Sequence, residues 1–498
     1  MPAIGRAVHV VAAGAALGIA GQFLFFDVAI GINFPIAIAL LVGSGWLLRR
    51  ERSAVDWRDR WLGPAAVTFA GFAAIRADPT IVVLDALTAL GLGGAALASY
   101  GRRSVTRRSF GRLIALGVSV AGWVAAGSVP AIAAARRRMP AATALGRARS
   151  ALPVLRGLAI AVPVVLVFIS LFAAADAVFA RVVDDLTTVD LDLGSLPGRA
   201  VLAAVIGWLA AGGLALAASR PPARSTAAAP SYAWRLGRTE VLTVLVAVDV
   251  LFAAFVALQG AYLFGGLDTL AAAGMTYSDY ARRGFFELVA VVILAGGLVV
   301  AADRLVRDRS RALVAAAIGL TTLTAVVLVS AALRLRLYQE AYGWTELRLY
   351  VLGTIVLLGG VLVALVLALL SDRVRWVGHA VLALGLVVGL GLSVLGPARF
   401  ITEQNVARVL DPSLVPADGR SGLDTAYAAS LGDDRVPDLL RVLPALDGDE
   451  AASVRQELRF RLHRLRADPA LDTWQAWNVG RAQALGALEA AEQRGDLD

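Results

Sequence analysis

The feature that most constrains this fold is a series of apolar runs, each roughly as long as a lipid bilayer is thick. A helix needs about 20 predominantly apolar residues to cross a hydrocarbon core of ~30 Å. Because lipid offers no partners to backbone N–H and C=O groups, such runs predict membrane-spanning α-helices. Twelve of them are found, at 8–26, 30–48, 61–75, 80–99, 112–135, 154–175, 200–218, 240–264, 284–302, 312–333, 349–370 and 375–396.

The composition agrees with a protein that lies mostly in lipid. Hydrophobic residues make up 58% of the chain and charged residues 17%, whereas soluble proteins carry about 25% charged residues. We therefore predict an all-α, polytopic membrane protein with about 11–12 membrane segments, and a transmembrane domain over 1–396. After Pro397 the pattern becomes amphipathic, which predicts a small C-terminal α-helical extramembrane domain over 397–498.

The C-terminal region, called the tail below, has its own helical pattern. Leu458, Leu462 and Leu465 form an apolar stripe at helical spacing. We expect this stripe to face the interior of a small helical domain, with the neighbouring arginines on the opposite, solvated face.

Two missing residue types narrow the chemistry that the chain can perform. Without cysteine there are no disulfides, thiolate nucleophiles or cysteine-ligated metals. Without lysine all 47 basic residues are arginine, which excludes the lysine of nucleotide-binding loops and Schiff-base chemistry. His9, His379 and His463 are far apart in sequence, and we predict neither a metal site nor a cofactor. No catalytic motif is found, so we expect a protein that is not an enzyme.

Arginine in the short loops predicts the orientation, because positively charged loops remain on the cytoplasmic side. The arginine-rich connections are predicted inside and are 49–60, 102–112, 136–149, 220–238 and 304–311. The acidic connection 176–198 is predicted outside, and so is the tail, in which 17 acidic residues outnumber 12 arginines. The net charge of +9 therefore reflects membrane topology, and no nucleic-acid partner is predicted.

The fifth segment, 112–135, conflicts with a simple alternation because arginines flank it on both sides. Pro130 within it predicts a kink, so we expect a re-entrant or tilted segment beside eleven full crossings. In this arrangement the N-terminus lies inside, and the first segment is expected to remain as an uncleaved helix.

One polar stretch, GMTYSDYARRGFFELV at 274–289, stands directly at the entrance of an apolar run. Tyr277 and Tyr280 suit the membrane interface, where their rings and hydroxyls meet both environments. Arg283 and Glu287 are four residues apart, so one helical face brings them together. A carboxylate inside the bilayer is costly unless it is compensated. The stretch is either an interfacial belt or part of a binding site.

A second polar stretch, RLRLYQEAYGWTELRLY at 334–350, is predicted on the same outer side, where the orientation rule does not explain arginine. Arg336 and Glu340 have the spacing of a helical ion pair. Glu287 is expected to lie within pairing distance of Arg283, Arg334 or Arg336. The candidate ligand-binding residues are Tyr277, Tyr280, Arg283, Glu287, Arg334, Arg336, Tyr338, Tyr342, Glu346 and Arg348. Together they predict either a pocket for an anionic head group or peptide, or a structural network that locks helices together.

Two carboxylates within the apolar runs are the remaining candidates. Asp249 lies about nine residues into its segment, and Asp85 lies in the fourth. An ionisable residue at such depth suggests a proton or cation relay, while a satisfied structural carboxylate is the alternative. Asn33 and Asp176, near the outer ends of their helices, either join the outer polar face or cap helices.

Several of these stretches together resemble a known family. They are RADPTIVVLDALTALGL, AADAVFA, TYSDYARRGFFELV, RLRLYQEAYGWTELRLY and WQAWNVGRAQAL. The resemblance is to a bacterial family of multi-pass membrane proteins known only as a domain of unknown function, and it covers most of the chain. It implies a bacterial inner-membrane protein, and it supplies no catalytic residues.

The sequence favours two functions over a third, a membrane enzyme that acts on lipid-linked or envelope substrates with Glu287 as acid or base, because no catalytic motif supports the enzyme. The first is a non-enzymatic receptor or scaffold that binds an envelope protein, peptide or lipid through the outer cluster and the tail. The second is an ion- or proton-coupled secondary transporter that uses Asp249 and Asp85. The lipid bilayer is the one partner that the composition itself requires, and the oligomeric state is left open.

Overall fold

The computed structural model of the chain describes residues 6–49, 55–101, 104–106, 110–136, 196–219, 236–264, 285–306, 308–416, 419 and 422–497. Every regular element within these ranges is helical, which confirms the all-α class. The apolar helices are α1 (Ala7–Phe25), α2 (Asn33–Leu48), α3 (Leu62–Gly71), α4 (Pro79–Tyr100), α5 (Phe110–Ala126), α6 (Ser128–Arg136), α7 (Leu196–Ala218), α8 (Arg238–Phe264), α9 (Phe285–Leu305), α10 (Arg311–Tyr342), α11 (Glu346–Leu370) and α12 (Val377–Leu395).

The lengths of these helices support a protein that crosses the membrane many times. Eight helices of the described ranges are long and apolar enough for a span, and α5 with α6 makes a ninth if the pair is one span. Helix α2, with 16 residues, and α3, with 10, are shorter. The predicted segment 154–175 lies outside the described residues.

The fifth segment is bent, although at a different residue from the one predicted. Helices α5 and α6 meet at 50° on either side of Gly127. A Cβ at Gly127 would lie 2.9 Å from the carbonyl oxygen of Gly212, so close approach to α7 favours glycine at the break. Pro130 lies in the first turn of α6, where its missing N–H removes no helical hydrogen bond.

The chain divides into two compact units, which are described separately. The first comprises Met1–Ile75, Leu84–Ser225 and Asp468–Asn478, and the second comprises Arg76–Val83, Thr226–Ala467 and Val479–Asp498. Each unit thus contains both membrane helices and part of the tail. The boundary that the sequence predicts between 396 and 397 coincides with Gly396, which separates α12 from the first tail helix at a φ of 73°. A separate tail domain stays a prediction.

In the first unit, α1 packs along α7 through glycine. Gly14, Gly18 and Gly21 are buried on one face of α1. A Cβ at Gly18 would lie 2.9 Å from the Cα of Gly207 and would overlap the carbonyl oxygen of Ala203. Lipid gives helices no hydrophobic reason to associate, so close backbone approach through small residues supplies the packing.

Also in the first unit, one buried carboxylate joins two of the arginine-rich loops. Asp59 is 1% exposed and accepts hydrogen bonds from the backbone N–H groups of Val105 and Thr106, both at 3.0 Å. The Thr106 hydroxyl donates a further bond of 2.7 Å. Both loops are predicted inside, and the contact agrees with their lying at one end of the helices.

In the second unit, helices α8, α9 and α11 pack against α10. Its buried residues, among them Leu320, Val327 and Ala331, contact neighbouring helices through aliphatic side chains. After α9, Arg309 forms ion pairs with Asp372 and, at 3.7 Å, with Asp303. The pair with Asp372 joins the connection before α10 to the connection after α11, and the pair with Asp303 joins it to the last turn of α9.

The tail folds into short helices, which are α13 (Pro397–Leu410), α14 (Thr425–Ser430), α15 (Val436–Val442), α16 (Gly448–Ala467) and α17 (Val479–Arg494). The leucine stripe of α16 is buried as predicted, with Leu458 at 0% exposure. The prediction that the arginines lie opposite it is wrong for Arg461, which is 7% exposed. Carboxylates from the same domain compensate this buried guanidinium, and the apolar pattern alone does not reveal them.

Candidate functional site

The polar stretch at 274–289 is described only at its end. Tyr277, Tyr280 and Arg283 lie outside the described residues. Glu287 lies in the first turn of α9, and its side chain is outside the described part. The predicted pairing of Glu287 with an arginine therefore stays a prediction.

The second polar stretch forms a tight helical hairpin between α10 and α11. Helix α10 ends at Tyr342, and Gly343 follows with a φ of 78°, a conformation that glycine adopts without strain. Thr345 then caps α11, and its hydroxyl accepts a 3.4 Å hydrogen bond from the backbone N–H of Arg348. Glu346 follows in the first turn, where a carboxylate complements the helix dipole. Below, residues 340–348, which include the end of α10 and the start of α11, are called the hairpin loop.

The predicted arginines and tyrosines on this hairpin interact with one another. The guanidinium carbon of Arg348 lies 4.2 Å from the ring centroid of Tyr338, and the Tyr338 and Tyr342 rings are 5.0 Å apart. The same guanidinium donates to the carbonyl oxygens of Tyr342, at 3.1 Å, and of Gly343. Arg348 thus caps the C-terminus of α10.

Two predicted arginines lie further along α10. Arg336 pairs with Glu340 at 2.8 Å, as the spacing predicts, and its side chain is 72% exposed. Arg334 is half-buried on the same helix. Among the described charged side chains of the two stretches, Arg336 is therefore the one most open to solvent.

The tail binds the hairpin loop through side chains that bond to backbone. Asn405 of α13 accepts the Trp344 N–H at 2.7 Å and donates to the Trp344 carbonyl at 2.9 Å. Arg408, one turn on, donates to the carbonyl oxygens of Glu340 and, at 3.2 Å, of Ala341. A Cβ at Gly343 would lie 2.7 Å from Oδ1 of Asn405, so this contact also favours glycine there.

Aromatic contacts and a tyrosine hydroxyl complete this interface. The Trp344 ring lies edge-on to Phe400 with centroids 5.2 Å apart. The Tyr427 hydroxyl accepts a 2.6 Å hydrogen bond from the backbone N–H of Glu346. Burial, together with the nearby carboxylates, raises the pKa of Tyr427 to about 12. The hydroxyl therefore keeps its proton and is uncharged at neutral pH.

The second loop bound by the tail is the RADP turn, residues 76–79. Asp434 accepts the Ala77 N–H at 3.0 Å. A Cβ at Gly432 would lie 2.5 Å from the Cα of Asp78, so the tail backbone lies directly against the turn. Arg76 donates to the carbonyl oxygens of Ser393, at 2.8 Å, and of Val394 at the end of α12. Sequence analysis missed this contact, since 357 residues separate Ala77 from Asp434.

Carboxylates are concentrated where the RADP turn meets the tail. Asp78 is 1% exposed and accepts the Thr80 N–H at 2.9 Å. Burial is the main reason that its pKa rises to about 6, and Glu346 and then Asp434 raise it further. Burial also raises the pKa of Asp434, against the hydrogen bond from Ala77. Protonation of these groups therefore favours the docked tail.

An ion-pair network supports this face of the tail from within. Arg435 is 0% exposed, binds Glu457 at 3.0 Å and donates to the Leu431 carbonyl at 2.7 Å. Burial lowers the pKa of Arg435 to about 9. Arg461 binds Glu457 at 2.6 Å and also Asp433. The spacing of Glu457 and Arg461 on one helix is a signal that sequence analysis could have used.

The two intramembrane carboxylates belong to different units. Asp249 of α8 faces α10, where a Cβ at Gly319 would lie 3.6 Å from its Oδ2. Its Oδ1 is buried and has no hydrogen-bond partner within the described ranges. Asp85 of α4, in the first unit, is 2% exposed. Asp176 lies outside the described residues, whereas Asn33 is buried and donates to the carbonyls of Leu24 and Ala29 at the start of α2.

The helices define the class of this protein as a multi-pass, α-helical integral membrane protein. Among the described residues there is no group of three or more histidine, aspartate or glutamate residues that could hold a metal ion. A family model described as "Domain of unknown function (DUF4153)" matches residues 62–442, and the chain belongs to that family. The matched range includes both the RADP turn and the hairpin loop. The comparisons with curated proteins and with solved structures returned no match.

Proposed function

We propose that the protein is a non-enzymatic receptor or scaffold of the bacterial cell membrane, in which the tail and the hairpin loop form one binding platform for an envelope protein, peptide or lipid. The observation that carries this proposal is the way Asn405 and Arg408 bind the backbone of the hairpin loop. A partner bound to this platform contacts a tail that is directly bonded to α10 and α11.

The contacts of the tail also support an extracytoplasmic C-terminus. In the second unit the tail binds the RADP turn and the hairpin loop, and in the first unit it binds the loop between α1 and α2. With the N-terminus predicted inside, the alternation of the segments predicts all three loops on the outer side. In one unit Asp59 joins two of the arginine-rich loops, and in the other Arg309 joins the arginine-rich connection before α10 to the connection after α11.

The open side of the hairpin is the proposed contact for the ligand. Arg336 is 72% exposed at its side chain and Tyr342 is 43% exposed, so a guanidinium and a phenol are both accessible after the tail has docked. These groups suit an anionic head group or an acidic peptide. Arg348 and Tyr338 stiffen this edge by stacking on one another.

Site-specific photocrosslinking in living cells tests the proposal. A photoreactive phenylalanine at Tyr342 is expected to crosslink to one envelope component, and Arg336→Ala is expected to weaken that crosslink. The matched control is the same probe at Leu367, which is 61% exposed in the apolar α11 and should react with lipid. The same set of lipid adducts at both positions would contradict a binding platform.

The transporter is the second candidate, and one observation favours it. A carboxylate oxygen of Asp249 is buried between α8 and α10 with no hydrogen-bond partner within the described part of the chain. An ionised carboxylate in that position is costly, so proton or cation binding would be favourable there. Under this function Asp249→Asn abolishes ion or proton flux in proteoliposomes, whereas Glu240→Gln at the entrance of α8 preserves it. Flux that depends on Asp249 would contradict the scaffold, and no flux under any gradient would contradict the transporter.

A further inference from the structure

Residues 468–478 of the tail are held against the loop between α1 and α2. The backbone N–H of Ala29 donates to Ala470, and that of Ile32 donates to Trp477, both at 3.0 Å. A Cβ at Gly31 would lie 2.5 Å from the carbonyl carbon of Ala476, so glycine permits this close approach. Asn478 donates to the Ala73 carbonyl at 2.8 Å. The WQAW sequence at 474–477 therefore has a fixed position at this end of α1.

The exposed face of helix α1 indicates which side of this helix contacts lipid. Its buried face, which includes Gly14, Gly18 and Leu24, packs within the first unit. Its opposite face carries Ile19, 64% exposed, and Phe23, 54% exposed. Because α1 is apolar and long enough to span a membrane, this exposed face is the one that acyl chains cover.

The WQAW sequence continues this lipid-facing surface beyond the end of the helix. The Trp474 ring lies 6.4 Å from the Phe23 ring, centroid to centroid. Trp474 is 57% exposed and Trp477 is 50% exposed, although both belong to a segment whose backbone is firmly bonded. Tryptophan combines a large apolar ring with an N–H donor, and it is enriched where acyl chains meet head groups.

We propose that Trp474 and Trp477 insert into the head-group region of the leaflet at this end of α1 and anchor the tail to lipid. The occupant of this surface is the bilayer, because the Trp474 ring continues the exposed face of a spanning helix through Phe23, and the exposed Trp477 follows three residues later. The backbone bonds to Ala29 and Ile32 hold both rings at that depth before lipid arrives. Little conformational entropy is therefore lost on insertion.

The absence of cysteine allows a direct test on the full chain in phospholipid vesicles. Single cysteines at 474, 477, Ile19 and Glu492 are labelled with a nitroxide, and collisions with oxygen and with a nickel chelate are measured. Positions 474 and 477 are expected to show oxygen-to-nickel ratios between lipid-exposed Ile19 and water-exposed Glu492. A ratio equal to that of Glu492 would overturn the proposal. Low collision rates with both reagents would also overturn it, since they indicate a protein cover such as a second copy.

A second experiment replaces Trp474 alone and leaves Trp477 in place. Fluorescence quenching is compared between lipids brominated near the head group and lipids brominated deep in the acyl chain. Trp474→Phe is expected to reduce quenching by the shallow bromines alone. Trp208→Phe is the matched control, because Trp208 lies in the middle of α7 and should report the deep bromines. Unchanged shallow quenching in folded Trp474→Phe protein would contradict the anchor.

Discussion

Helices α1 and α7 meet through glycine, whereas the tail meets the hairpin loop through asparagine, arginine and tyrosine. At the first contact the two backbones lie so close that no room is left for a methyl group at Gly18. In the second, Asn405 binds the backbone of the loop residue Trp344, and Arg408 binds the last carbonyls of α10. In lipid, polar groups have no competing water, and helices associate by shape. Outside lipid, water competes for every donor, so a stable contact takes up the unpaired carbonyls and N–H groups that helix ends leave.

The largest expected effect is on the glycine contact. Gly18→Ala places a methyl group against the Ala203 carbonyl and the Gly207 Cα, so α1 and α7 must separate. We expect a loss of about 3 kcal/mol in the free energy of unfolding, the upper end of typical overpacking costs. Thermal unfolding in detergent measures it. Gly385→Ala in α12 is the matched control, because its Cβ meets open space, and equal losses in both variants would contradict close packing as the cause.

The next effect is on the polar contact. Asn405→Ala removes both hydrogen bonds to Trp344 and leaves its N–H and carbonyl unpaired by that side chain. We expect a cost of about 1–3 kcal/mol and faster amide exchange in the hairpin loop, with the packing of α1 on α7 unchanged. Hydrogen exchange followed by mass spectrometry measures both. Gln404→Ala, at the exposed neighbouring position, should leave the loop as protected as in the unaltered protein.

These two contacts differ in how far the sequence predicts them. The spans follow from segment length alone, and the pairing of Arg336 with Glu340 follows from spacing along one helix. Gly14-xxx-Gly18 is a local pattern too, and it was a detectable signal for close packing that our sequence analysis did not use. The contacts of Asn405 and Asp434 join residues that are far apart in the chain, so no local pattern specifies them. The buried Arg461 was mispredicted because an arginine normally marks a solvated face, and its compensation by Asp433 comes from another helix.

A third prediction concerns how stability depends on pH through the buried carboxylates of Asp78 and Asp434. Asp78 has a pKa of about 6 when the tail is docked, above the ordinary value of 3.8, so unfolding releases a proton between these values. Stability should therefore fall as pH rises from about 4 to 6, by about 2 kcal/mol from this group. Asp78→Asn should weaken that dependence and unfold at a higher temperature than the unaltered protein at pH 7. Asp434, whose pKa is also raised, is expected to retain part of the slope, and a steeper slope in the variant would contradict this assignment.

The smallest effect is expected at the exposed ion pair. Arg336→Ala removes a pair whose side chains are 72% and 38% exposed, so water already screens it. We expect a change of about 0.2–0.5 kcal/mol that vanishes at high salt. Thermal unfolding at low and high salt measures it, with Arg311→Ala at the other end of α10 as the control. A loss comparable to that of Asn405→Ala would place Arg336 inside the docking contact.

The RADP turn has a consequence for biosynthesis. In a chain made from its N-terminus, Ala77 is translated long before its partner Asp434, which lies 357 residues later. During that interval the backbone N–H of Ala77 lacks the carboxylate that binds it in the finished protein. Docking of the tail therefore follows the synthesis of α12, the last apolar helix before the tail. A chain that ends before Asn405 and Asp434 lacks the contacts that the finished protein makes with the hairpin loop and the RADP turn.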